Sequence, residues 1–131
     1  MTVQPSTIPD GLRVELSRCK VLPGQSEGAD RWMKMLDERS DECIATLDGE
    51  RMAIEIIFRL KEDGEDYLFW VSVFGADNGG LDLSVPINRD HDTIARTVKP
   101  PGWVEAEPQV LLLPEPVREA VLAWALRPAD D

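Results

Sequence analysis

At 131 residues, 43% of them hydrophobic and 30% charged, the chain has the makeup of one globular domain that buries its own core without staples. A formal net charge of −11 argues against a nucleic-acid partner, because that binding runs on lysine and arginine releasing counterions. The same charge disfavours an anionic membrane surface, and no apolar run nears the roughly 18 residues of a membrane-spanning helix.

The first ten residues, with Pro5 and Pro9, are expected to form a flexible N-terminal arm, and residues 11–131 a single domain. The start has no basic segment followed by an apolar one, so no secretory signal is expected, and the location expected is cytoplasmic. Cys19 and Cys43 have no Cys-x-x-Cys spacing and read as a pair of buried thiols.

Leu12 to Val21 alternates as a strand, with Leu12, Val14 and Leu16 on one face and Arg13, Glu15 and Ser17 on the other. Pro23-Gly24 closes it as a turn. From Ser26 to Leu47 the period becomes helical. Ala29, Trp32, Met33, Leu36, Ser40, Cys43, Ile44 and Leu47 share a stripe, and acidic and basic residues cover the opposite face. Ser26 is placed to cap the helix start and Gly49 its end.

Arg51–Leu60 and Tyr67–Phe74 are two strands whose link holds Asp63-Gly64, a dipeptide suited to the positive φ of a hairpin turn. They are expected to pair antiparallel. Gly75–Leu83 is a loop. A second helix follows, Ser84 capping it and Ile87, His91, Ile94, Ala95 and Val98 forming its stripe. Trp103–Leu113 reads as the last strand, its run Val110–Leu113 buried. Pro114 and Pro116 open a terminal helix with the stripe Val117, Ala120, Val121 and Trp124.

The order β-α-β-β-α-β predicts an α+β, ferredoxin-like antiparallel sheet with two helices on one face and an extra C-terminal helix. Both parities of the central strands are apolar, so both sheet faces are expected to be buried. The second face is expected to meet another copy of the chain, making a homodimer. Leu68, Trp70, Phe74, Ala53 and Ile57 are the residues expected to be hidden there, with the terminal helix lying across the partner.

Thr46-Leu47-Asp48-Gly49-Glu50-Arg51-Met52 with Glu55, Ile57, Phe58 and Arg59, then Tyr67-Leu68-Phe69-Trp70-Val71-Ser72 and Gly75, resembles a motif of a family of small uncharacterised bacterial proteins. Pro23-Gly24 followed by Trp32, Met33 and Leu36 fits as well. The resemblance implies the dimeric α/β-barrel superfamily, which includes monooxygenases and heme-degrading enzymes as well as members with no known activity. It supports fold and dimer more than function. The family carries a Ser, a His, an Asp and a further His in the second helix; Ser84 and His91 match the first and last, while Val85 and Asn88 stand at the other two.

His91 is the only histidine; on an apolar stripe it is either a satisfied core residue or a catalytic one. One histidine and two separated cysteines supply no metal set, so neither metal nor other cofactor is expected. Glu55 and Glu15 lie between apolar strand residues, pointing either to solvent or into the barrel, where desolvation would make them general bases. Arg18, Arg51 and Arg59 are candidate ion-pair partners for them, and Tyr67 and Trp70 are candidate walls of a ligand cavity. Catalytic candidates are thus Glu55 and His91; ligand-binding candidates are Glu15, Arg51, Glu55, Tyr67 and Trp70. Three functions stay open: a small-molecule binder with its site between two sheets, a cofactor-independent monooxygenase- or isomerase-like enzyme, and a non-catalytic module with a filled barrel.

Overall fold

The computed structural model describes residues 4–128. Alternating residues form strand β1 (Leu12–Lys20), which pairs antiparallel with β3 (Glu65–Gly75) from Leu12 against Gly75 to Lys20 against Tyr67. Strand β2 (Met52–Glu62) runs antiparallel to β3 through the hairpin at Asp63-Gly64, both residues at positive φ (52° and 77°) as the tight turn requires. A short strand, β4 (Val104–Ala106), flanks β1, giving the sheet order β2-β3-β1-β4. The described chain is therefore α+β, with a four-stranded antiparallel sheet and four helices.

Helices α1 (Ser26–Glu38) and α3 (Pro86–Val98) cover one face of that sheet. Ala29, Trp32 and Val98 meet Cys19, Val21, Leu68 and Trp70 there, with Ile57 at the margin. Trp32 and Leu68 are 0% exposed. Removing such side chains from water is the main favourable term in folding.

The long first helix differs from the expected one. It breaks at Arg39, and its last turns form α2 (Ser40–Thr46). Arg39 departs from helical geometry (φ −106°, ψ 30°) while its guanidinium reaches Glu42 on α2 and Asp90 on α3, both at 2.6 Å. Those pairs hold three helices at one corner. The expected caps differ too: the Ser26 hydroxyl donates to Asp66 and the Ser84 hydroxyl to Asp82. Neither serine caps a helix N-terminus.

The last strand is corrected most. Only Val104–Ala106 joins the ladder. Pro108 and Pro114 flank the remainder, and a proline has no N–H to give a ladder. Val110 and Leu112 are exposed, Leu112 at 80%. Leu111 instead packs against a second core and donates its N–H to the Thr7 hydroxyl at 3.0 Å. The described part of the expected flexible arm is held down as well, with Ile8 buried in the same cluster and Gln4 donating to the Leu12 carbonyl at 2.9 Å.

That second core lies on the opposite face of the sheet, at one end. Helix α4 (Glu115–Ala125) sets Val121 and Ala125 against Leu12 and Val73. The terminal helix thus caps its own sheet, contrary to the expectation that it would lie across a partner. The Trp124 indole donates to the Met52 carbonyl at 2.9 Å, and Arg127 bonds Asp48. Gly75 is where the backbones meet most closely: a Cβ there would stand 2.2 Å from the Ala125 carbonyl oxygen, so only glycine fits without displacing the helix.

The cap covers only that end. Beyond it the cross-strand row Ile56–Val71–Leu16–Ala106 is followed by Phe58–Phe69–Arg18–Val104. Leu16, Ile56, Phe58, Leu60 and Val104 stand exposed on this face. Leu68, Trp70 and Phe74, expected on it, belong instead to the helix-covered parity. The reason is strict alternation: Trp70 pairs with Ser17 and Ile57, not with Leu16 and Ile56.

Candidate functional site

Between α1–α2, α3 and the helix-covered face of the sheet lies a cleft of about 440 Å³, within the range of small-molecule sites. Met33, Leu36, Ile57 and Ile87 form apolar walls, and Trp70 lines its sheet side. Glu50, Glu55, Asn88 and His91 open into it.

Trp70 is fixed from two sides. The Trp32 ring lies 5.2 Å away and the Trp103 ring meets it edge-on at 5.1 Å. Lys99 sits over the Trp103 ring, 4.4 Å from its centre. His91 joins the same cluster, 5.3 Å from Trp32.

The Trp32 indole N–H donates to His91 Nδ1 at 2.8 Å. An indole only donates, so Nδ1 is an acceptor and the imidazole is the neutral tautomer with its proton on Nε2. Burial pushes the His91 pKa down, with nearby Asp92 acting the other way. Protonation would also place two donors face to face. His91 is thus both a satisfied residue and a fixed one, with Nε2–H left for another partner.

Glu55 comes from β2, opposite Ser72. Its side chain stays open to solvent through the cleft mouth, yet the cleft walls remove much of its hydration. That desolvation raises its pKa, Glu50 raises it further, and the Trp70 indole partly offsets both. Burial likewise raises the pKa of Glu50. The Cys43 thiol in the same wall is pushed up by burial and by the surrounding carboxylates, which disfavours the nucleophilic thiolate.

A group whose pKa is higher in the fold than in the open chain stabilises the fold below its ordinary value and loses that contribution as pH rises. For Glu55 the loss begins above about pH 4.5. Glu55→Gln keeps the shape without the charge. It is expected to raise the melting temperature at pH 7 and to leave it unchanged at pH 4. His91 acts in the opposite sense, losing stability as pH falls below about 6.5. Calorimetry of both proteins at the two pH values checks this; a lower melting temperature for the variant at pH 7 would contradict the desolvated carboxylate.

Of the residues expected from the sequence, Glu55, Trp70 and His91 come together in this cleft. The other three do not. Glu15 pairs with Arg13 at 2.9 Å beside a separate depression of about 590 Å³ near β4. Arg51 donates to the Arg127 carbonyl at 2.7 Å, a structural tie to the terminal segment. Tyr67 lies on the other sheet face, with the Arg18 guanidinium 5.0 Å from its ring centre. Glu50, Asn88 and the Trp32 N–H are site groups that the sequence reading did not assign. The signal for the last was present: two ring nitrogens on facing helical stripes, each needing a partner.

Among the described residues no group of three or more His, Cys, Asp and Glu side chains forms a metal site, and no helix is long and apolar enough to cross a membrane. Residues 12–119 match the model of a family of unknown function, DUF6176. The chain belongs to that family. No curated protein matches this DUF6176 member, and no solved structure does. The matched span covers all four strands and α1–α3, so every group lining the cleft lies within the family region.

Proposed function

We propose that this DUF6176 protein binds a small molecule in the helix-side cleft and works as a homodimer joined through its open sheet face. The observation that carries the first part is convergence. One concave, largely apolar space collects an aromatic wall, a neutral imidazole donor and two carboxylates, the composition expected of a ligand site. A site between two sheets, the position expected from the sequence, is less favoured, because apolar side chains dominate the open sheet face and its charged groups Lys20 and Glu65 pair with each other at 3.0 Å.

The dimer reading rests on the uncovered rows. A monomer rarely leaves a contiguous apolar patch of this kind in water. The antiparallel order β2-β3-β1-β4, with α1 and α3 on one face, supports reading the sheet as a ferredoxin-like split βαβ arrangement. Two such sheets stacked by a two-fold axis would bury the same patch on each partner, as in a dimeric α/β barrel.

Native mass spectrometry of protein purified from its own host tests both parts together. The expected species is two chains carrying small-molecule mass, and Ile57→Trp, which fills the cleft, is expected to lose that mass while remaining dimeric. Bare chains with no added mass would count against the binding reading.

A second reading is favoured by the pair Glu55 and His91. A carboxylate with a raised pKa and an imidazole offering Nε2–H are the parts of a base and a hydrogen-bond donor for moving a proton on a bound molecule. Conversion of the bound molecule by the wild type and not by Glu55→Gln separates this isomerase-like reading from binding alone.

A further inference from the structure

The cleft carries charge of one sign. Asp37, Glu50 and Glu55 line it, and no lysine or arginine does. Elsewhere several carboxylates meet guanidinium groups. Arg59 takes Asp30 and Asp66, Arg127 takes Asp48, Arg39 takes Asp90, and Arg13 takes Glu15. Among the described residues, Glu50 and Glu55 have no ion pair.

Asn88 points the same way by independent chemistry. It is only 6% exposed, and its amide nitrogen is committed to the Asp82 carbonyl at 3.0 Å. Its Oδ1 accepts no hydrogen bond from any described residue, and no fully enclosed side-chain oxygen lacks a partner, so this oxygen is reached from the cleft that Asn88 lines. That oxygen is an acceptor open to a donor on a bound molecule. Acceptors therefore outnumber donors in the cleft, and Trp70 lines it beside them. An aromatic wall next to carboxylates suits a cation with an apolar body.

Resting on the cleft as a ligand site, we infer that its ligand is an apolar organic ammonium ion. Its N–H groups meet Glu55, Glu50 and Asn88 Oδ1, and its body lies against Trp70 and the Met33, Leu36 and Ile57 wall. An anionic ligand would meet three carboxylates and no cation. A neutral one would leave the carboxylates of the cleft without a counter-charge.

Three probes of one shape and three charges test this: 2-phenylethylammonium, 2-phenylethanol and 3-phenylpropionate. Each is titrated at pH 7 into the full-length protein, reading the indole N–H resonance of Trp70, assigned from Trp70→Phe. The ammonium is expected to bind at least about tenfold more tightly than the alcohol, and the propionate least. Glu55→Gln is expected to remove the preference for the ammonium and to retain binding of the alcohol. Equal affinity for ammonium and alcohol, or tightest binding of the propionate, would overturn the charge assignment and leave the cleft standing as a site. No shift of the resonance with any probe at millimolar concentration would overturn the cleft reading and this inference together.

Discussion

Replacing Trp32 with alanine is expected to remove about 3–5 kcal/mol of stability, the usual cost of emptying a buried tryptophan site. Trp32 is fully buried at the centre of the helix-covered core, against Trp70, Leu68 and Val98. Few domains hold more than about 5–15 kcal/mol in all, so the variant should unfold at a much lower urea concentration. The loss has a second source, because the Trp32 N–H is the donor for His91 Nδ1. Trp32→Phe keeps most of the volume and removes that donor, and is expected to cost about 1–2 kcal/mol beyond the packing change. Urea midpoints with unchanged slopes check both values. A loss under about 1 kcal/mol for Trp32→Ala would mean the helices do not hold the sheet through this residue.

The second large effect concerns association. Light scattering at micromolar concentration is expected to give twice 14.7 kDa for the wild type and 14.7 kDa for Phe58→Glu. Phe58 is 53% exposed in the single chain and sits midway along the open face, between Ile56 and Leu60. A carboxylate there costs the monomer little, but in a sheet-on-sheet interface it would be buried without a partner. A stable interface takes about 800 Å² from each partner, and the rows from β2 across to β4 are the one broad apolar surface on the sheet that α1, α3 and α4 leave uncovered. Trp70→Glu does not test the same point, since it would set a charge in the core under Trp32 and destabilise the monomer itself. A wild-type monomer across the concentration range would contradict the dimer.

How much of this was legible in the sequence depended on how local each cause is. The hairpin at Asp63-Gly64 was legible because two adjacent residues set its turn. The helix over Ser26–Glu38 was legible because Ala29, Trp32, Met33 and Leu36 repeat at its period. The break at Arg39 was not, since it coincides with a pairing to Asp90, 51 residues away. Alternation showed that both parities of β2 and β3 were apolar, but not which parity the helices would take. Leu68 and Trp70 went under the helices, and Ile56 and Phe58 were left open. The run Val110–Leu113 advertised burial by composition alone, while two flanking prolines kept it out of the ladder.

The site followed the same division. Glu55 and His91 were recognisable as titratable groups set in apolar patterns, and the structure brings both to one cleft. Glu15 had the same local pattern as Glu55, yet Arg13 beside it supplies a cation that Glu55 lacks. Asn88 became a site residue only through Asp82, whose carbonyl takes its amide nitrogen and leaves the oxygen to the cleft. Such roles come from chain crossings, and no periodicity reports them.

On the proposed reading the ligand sits between helices and sheet, not between two sheets. The most direct test is a crystal structure of the protein as purified from its own host, with its bound molecule retained. The account predicts that molecule against Trp70, with a polar end at Glu55 and Asn88, and two chains joined through Ile56, Phe58 and Leu60. A molecule lodged instead between the two sheets, against Tyr67 and Phe69, would contradict it.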